Sequence, residues 1–135
     1  MILFELHTLP KSQKQTQYGR GTFYDPSREY KDALIWQMRS YAPKSLLEGP
    51  LSVDLMFYLP VPKGVSKVKS RLMLAGQLFP HVRPDVDNLA YVVTNAMKMV
   101  YYKDDAQIID LAMHKRYHET PKIVVKILTI EEICH

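Results

Sequence analysis

Residues 83–110 read RPDVDNLAYVVTNAMKMVYYKDDAQIID, and the organisation of the chain turns on them. The segment sets Asp85, Asp87, Asp104, Asp105 and Asp110 among valine, leucine, methionine and tyrosine. Leu89, Val92, Val93, Ala96, Met97 and Val100 recur at helical spacing, which predicts an amphipathic helix laid on an apolar surface. Pro84 disfavours helix at Arg83, so the helix begins at Asp85 or just after it, where carboxylates suit the dipole and the free N–H groups. About four turns later, Tyr101, Tyr102 and Lys103 lead into Asp104–Asp105. A chain that folds back there sets a carboxylate beside Asp85 and Asp87.

Three carboxylates brought together repel one another, and a divalent cation relieves that repulsion. Hard oxygen donors suit Mg²⁺ or Mn²⁺. The expectation is that oxygens of Asp85, Asp87 and a member of the Asp104–Asp105 pair (Asp105 in the resemblance drawn below) lie within about 4–6 Å of a common point, the range over which charges shift each other's ionisation. The plainer reading makes Asp85 an N-cap, Asp87 a first-turn partner of the dipole, and Asp104–Asp105 a turn. A calcium loop is excluded. D-x-D-N opens like one, but Leu89 stands where a ligand is needed and Ala90 where the loop needs glycine.

Upstream of this stretch, residues 61–83 hold Lys63, Lys67, Lys69, Arg71 and Arg83 and no acid. A basic segment running into an acidic cluster suits a phosphodiester-cutting site, with cations on the backbone and a metal at the scissile phosphate. Within the basic segment, Ser66 to Gly76 reads as a short helix capped by Ser66. Lys67, Lys69 and Arg71 then face outward, with Val68, Leu72 and Ala75 inward. Residues 79–83 are extended. Leu51 to Leu59 alternates as a strand, between the Gly49–Pro50 turn and Pro60. Downstream, Gln107 to Tyr117 is a strand with Ile109, Leu111 and Met113 alternating. The turn 118–121 leads to a last strand, Lys122 to Ile130, completing a hairpin.

Nearer the start, Ile2 to Thr8 alternates as a first strand, and 10–21 reads as a basic, flexible loop containing Lys14 and Arg20. Thr22–Tyr24 is a short strand. Asp25 or Ser27 caps a helix reaching about Tyr41, with Tyr30, Ala33, Leu34 and Met38 on its apolar face and Trp36 expected in the core. The five histidines show no zinc spacing, and only His81 lies near the acidic cluster.

The chain has 135 residues, 47% of them hydrophobic, and a net charge of +4. These figures describe one folded domain, 1–135, with room for a modest core. The charge permits nucleic-acid binding without requiring it. Cys134, the lone cysteine, rules out an internal disulfide and suits a reducing, cytoplasmic setting. The early Glu5 argues against a signal peptide, and no segment reads as a membrane span.

Pro84-Asp85-Val86-Asp87-Asn88-Leu89, then an apolar helix, then Tyr102-Lys103-Asp104-Asp105-Ala106-Gln107-Ile108, then a strand ending Lys115-Arg116-Tyr117, resembles the RusA family of Holliday junction resolvases. These are phage-associated endonucleases that cut four-way DNA junctions as homodimers with Mg²⁺ or Mn²⁺. The resemblance spans nearly the whole chain. It implies that Asp85, Asp87 and Asp105 are catalytic metal ligands, with Asp104 a further matching acid. It also implies DNA contacts from the 10–21 loop. One position departs from the pattern: the family usually carries a lysine four residues after the second aspartate, and here that residue is Tyr91. Either Lys98, Lys103 or a lysine from elsewhere replaces it, or the protein cuts poorly.

The fold expected is α/β (α+β), a small mixed β-sheet with two to three covering helices. The function expected is resolution of four-way junctions in DNA recombination and repair. Lys14, Arg20, Lys63, Lys67, Lys69, Arg71 and Arg83 are its DNA-binding residues. Two alternatives stand beside it: a weak or inactive junction-binding protein, and a Mg-dependent nucleotide phosphohydrolase. Cutting two opposed strands calls for a C₂ homodimer. The central helix, through Met97 and Met99, offers either its interface or ordinary core.

Overall fold

The β4 strand, Leu51–Leu59, shows most plainly how this sequence folds: Leu51, Val53, Leu55, Phe57 and Leu59 are buried, and the residues between them are half-exposed. A strand's side chains alternate between faces, so one face of β4 is entirely core. Each such side chain contributes about 1.5–3 kcal/mol on burial. The protein is seen in a computed structural model that describes residues 1–12, 17–19, 22–24 and 28–134. The expected caps Asp25 and Ser27, and the loop residues Lys14 and Arg20, lie outside the described residues.

Around β4 the sheet is mixed, in the order β1 (Ile2–Leu6), β6 (Lys122–Thr129), β4, β5 (Ile108–Tyr117). β1 pairs antiparallel with β6, which pairs antiparallel with β4. β5 lies parallel to β4 on its other side. A parallel neighbour needs a crossover, and residues 60–107 supply it, carrying α2 (Lys67–Leu74) and α3 (Val86–Met97). α1 (Arg28–Arg39) packs on α3, and α4 (Ile130–Ile133) follows β6. A small two-stranded ribbon, β2 (Gln17–Gly19) with β3 (Thr22–Tyr24), places a strand inside the segment expected to be loop. The mixed α+β class is the expected one.

The expected hairpin is not formed. β5 and β6 follow one another in the chain, but β4 lies between them. The turn 118–121 therefore crosses the end of β4, where the His118 N–H donates to the Leu59 carbonyl at 2.9 Å. Periodicity identifies the strands but says nothing about which strands are neighbours. β4 and β6 form the middle of the sheet, each paired on both edges.

Other departures have equally local causes. Trp36 is 78% exposed, because Leu34 and Met38 take the buried face of α1. In α2, capped by Ser66 through the Lys69 N–H, Met73 is the buried residue, while Val68 and Ala75 face out. α3 stops at Met97, short of Val100. Lys98 is extended and Met99 has φ +69°, which turns the chain back on itself. That turn buries Tyr101 and Tyr102 completely. Their hydroxyls donate to the Met38 and Thr94 carbonyls, both at 2.6 Å. Burial first, then the neighbouring Tyr41, raises the Tyr101 pKa. Phe4 stacks on Tyr101 and on Tyr41, with centroids 5.1 and 5.3 Å apart. Met97 is core and Met99 is exposed, so the two do not share an outward face.

Candidate active site

α3 forms because Leu89, Ala90, Val92, Val93, Ala96 and Met97 make one buried stripe. Its N-cap is Asp85, whose backbone is extended and whose carbonyl accepts from the Leu89 N–H at 3.1 Å. An N-cap aspartate ordinarily takes a hydrogen bond from the second or third helical N–H. The Asp85 carboxylate makes no such bond. It is exposed, as is Asp87 two residues on. The two carboxylates stand at the N-terminal, positive end of the helix dipole. The Arg83–Pro84 peptide leading into them is cis.

Asp104 and Asp105 divide their labour. Asp104 caps the one-turn 3₁₀ helix Asp105–Gln107, accepting from the Ala106 N–H at 2.9 Å. Gln107 closes the box: its side-chain oxygen accepts from the Lys103 and Asp104 N–H groups, each at 3.0 Å. Its amide nitrogen donates to the Leu47 and Gly49 carbonyls at 2.9 and 3.1 Å. Both aspartates are exposed, but the Asp104 carboxylate is committed to the turn as its cap. Asp105 lies beside Tyr102, whose pKa is raised chiefly by burial and further by this carboxylate.

Among the described residues, no three His, Cys, Asp or Glu side chains are grouped to hold a metal ion. Tyr102 ties the Asp105 turn to Thr94, seven residues beyond Asp87 along α3, or about 10 Å at the helical rise. The donor set still fits a hard divalent ion. Mg²⁺ usually takes one or two carboxylates and keeps several waters, and Asp85 and Asp87 supply two exposed carboxylates with no competing cap.

Lys63, Lys67, Lys69, Arg71 and Arg83 are all exposed and form no ion pair with another described residue. Lys67 and Arg71 line a groove of about 390 Å³ with Val61, Pro62, Val65 and Ser70. Tyr91 is exposed on α3, Lys98 sits at the far end of that helix, and Lys103 is exposed beside Asp104. His81 is exposed and its ring contacts the Phe79 carbonyl of its own loop, at 3.3 Å.

Two residues of the quoted motifs have structural tasks that the sequence reading does not assign to them. Gln107 was legible, since D-x-x-Q from Asp104 is a capping box. Lys115 left a fainter mark: it falls in the alternating series Ile109, Leu111, Met113, where a charge faces the apolar side. Its ammonium donates to the Val82 and Pro84 carbonyls at 2.7 and 2.9 Å.

A family model described as endodeoxyribonuclease RusA matches residues 7–128. The chain is 36% identical over 113 residues to the uncharacterized protein YqaN of Bacillus subtilis (strain 168), covering 81% of this chain and 80% of that one. It is 30% identical over 134 residues to the crossover junction endodeoxyribonuclease rusA of Lactococcus phage r1t, covering 94% and 95%.

Proposed function

The chain belongs to the endodeoxyribonuclease RusA family, and from that premise we propose that it is a metal-dependent, structure-selective endonuclease that resolves Holliday junctions in recombination and repair. The observation that carries the reading is Asp85: an exposed N-cap carboxylate that does no capping, two residues from another exposed carboxylate. A carboxylate that makes no cap hydrogen bond, held at a helix start that follows a run of exposed cations, is suited to a ligand.

In this reading Asp85 and Asp87 hold Mg²⁺ or Mn²⁺, and Asp105 is the third acid of the site. The bound ion supplies water activation and stabilises charge on the leaving oxygen. The exposed lysines and arginines hold the phosphate backbone. Two opposed strands must be cut in fixed relation, so the working form is a C₂ homodimer. No helix among the described residues is long and apolar enough to cross a membrane, and we place the protein in the cytoplasm.

Incubation with a synthetic four-way junction in Mg²⁺, Mn²⁺ or chelator, with duplex as control, tests the activity. Cleavage confined to the junction and abolished by chelator is the expected result. Binding without cleavage would favour a junction-binding role, the alternative that the uncharged Tyr91 supports. A separate expectation concerns affinity. Replacing Lys67, Lys69 and Arg71 together by alanine weakens junction binding and lowers its log–log salt slope by about 0.9 for each phosphate that the variant no longer neutralises. A slope unchanged in a salt titration would return this stretch to an ordinary solvated face.

A further inference from the structure

We infer that Lys115 is a positioning residue for the acidic site, acting through the turn that delivers Asp85, and that Arg116 is the second half of the same latch. The inference rests on the proposed reading of Asp85 and Asp87 as metal-holding residues.

Residues 75–85 form neither helix nor strand, yet they end at the N-cap of α3. Leu78 is tied to α2 through the Leu72 carbonyl, and the His81 N–H bonds within the segment to Phe79. Among the described hydrogen bonds, those that join residues 80–84 to the sheet come from Lys115. Its ammonium meets two carbonyls two residues apart. One belongs to Pro84, whose carbonyl carbon is bonded to the Asp85 nitrogen. A lysine on a strand ordinarily extends its charge into water. Here the charge makes two charge-assisted hydrogen bonds, which are short and strong compared with neutral ones.

The next residue grips the same segment. The Arg116 guanidinium lies over the Phe79 ring, 5.0 Å from its centroid, and one of its N–H groups donates to the Lys115 carbonyl at 2.7 Å. Adjacent residues of a strand point to opposite faces, so a segment that meets both comes round the open edge of the sheet. β5 is an edge strand and allows this. The latch therefore fixes where Asp85 emerges relative to β5, and it brings a positive charge to the residue before it.

The test compares wild type, Lys115→Met and Lys115→Arg by three readouts: amide hydrogen exchange of residues 81–88, affinity for Mn²⁺ alone by calorimetry, and four-way junction cleavage beside junction binding. In Lys115→Met, exchange at 81–88 accelerates while β4 and β6 stay protected. Mn²⁺ affinity and cleavage each fall by about tenfold or more, as for other supports of metal ligands, and junction binding is retained. Lys115→Arg recovers most of the loss, because a guanidinium also donates to two carbonyls. A purely structural lysine would move thermal stability without moving Mn²⁺ affinity. Unchanged exchange at 81–88 overturns the latch, and so does faster exchange with unaltered Mn²⁺ affinity. If Lys115→Met does not fold, Lys115→Gln, which keeps one donor group and no charge, carries the same comparison. Wild-type protein that binds Mn²⁺ but leaves junctions intact removes the activity alone, and the exchange and affinity arms still decide the latch. Wild-type protein that binds no Mn²⁺ overturns both.

Discussion

Asp85→Asn and Asp87→Asn each lower four-way junction cleavage by about a hundredfold or more while the protein stays folded and still binds the junction. Asparagine keeps the shape and one acceptor oxygen, but removes a full negative charge from a pair that has to hold a hard cation. It caps helices about as well as aspartate, and the Asp85 carboxylate makes no cap hydrogen bond to lose. Stability should therefore move by no more than about 0.5 kcal/mol, the usual range for a surface substitution. Binding rests on lysine and arginine at the phosphates, and without metal it tightens slightly, because a charge that repels the backbone is gone. Cleavage, junction binding and thermal unfolding measured on the same preparations separate these effects. Near-normal cleavage by both variants would reduce the two aspartates to residues that start a helix.

The aspartates illustrate what a sequence displays and what it withholds. The alternation in Leu51–Leu59 and the stripe from Leu89 to Met97 are local patterns, and both elements stand where those patterns put them. Their neighbours were not legible: β6 pairs with β4 across the position where a hairpin with β5 was expected, because pairing depends on how whole faces are buried. The end of α3 was also hidden. Val100 continues the apolar spacing, but Met99 takes a left-handed conformation so that Tyr101 and Tyr102 can enter the core. At the site, the two exposed carboxylates of the helix start follow from Pro84 and the helix pattern. The distance to Asp105 does not, since it depends on how Tyr102 meets Thr94. Trp36 shows the opposite hazard, an apolar residue on a helical pattern that stays in solvent because Leu34 and Met38 already fill the buried face.

Gln107→Ala should destabilise the protein by about 2–4 kcal/mol, the sum expected when one side chain gives up several hydrogen bonds at once. The amide of Gln107 is fully used: it accepts from two backbone N–H groups of the acidic turn and donates to two carbonyls of the segment before β4. It is the polar pin between residues 47–49 and 103–105, and the loss would be a sizeable part of a domain's total stability. Gln107→Glu discriminates further. The carboxylate can still accept from Lys103 and Asp104, but it faces the Leu47 and Gly49 carbonyls with no proton to offer. Those carbonyls disfavour its charged form, so its folded-state pKa rises above the unfolded value of about 4.3. A raised pKa means that the variant is relatively most stable below the unfolded value and loses stability as pH climbs through the folded one. Urea unfolding across pH 4 to 8 reads this directly, with Gln107→Glu approaching wild type in acid and falling furthest behind at neutral pH, whereas the deficit of Gln107→Ala stays level. Asp105 follows Asp104 in the same turn, so junction cleavage by Gln107→Ala should fall at temperatures well below its unfolding midpoint. A midpoint unmoved in both variants would show that water replaces the amide, leaving the Asp104 cap alone to shape the turn that presents Asp105.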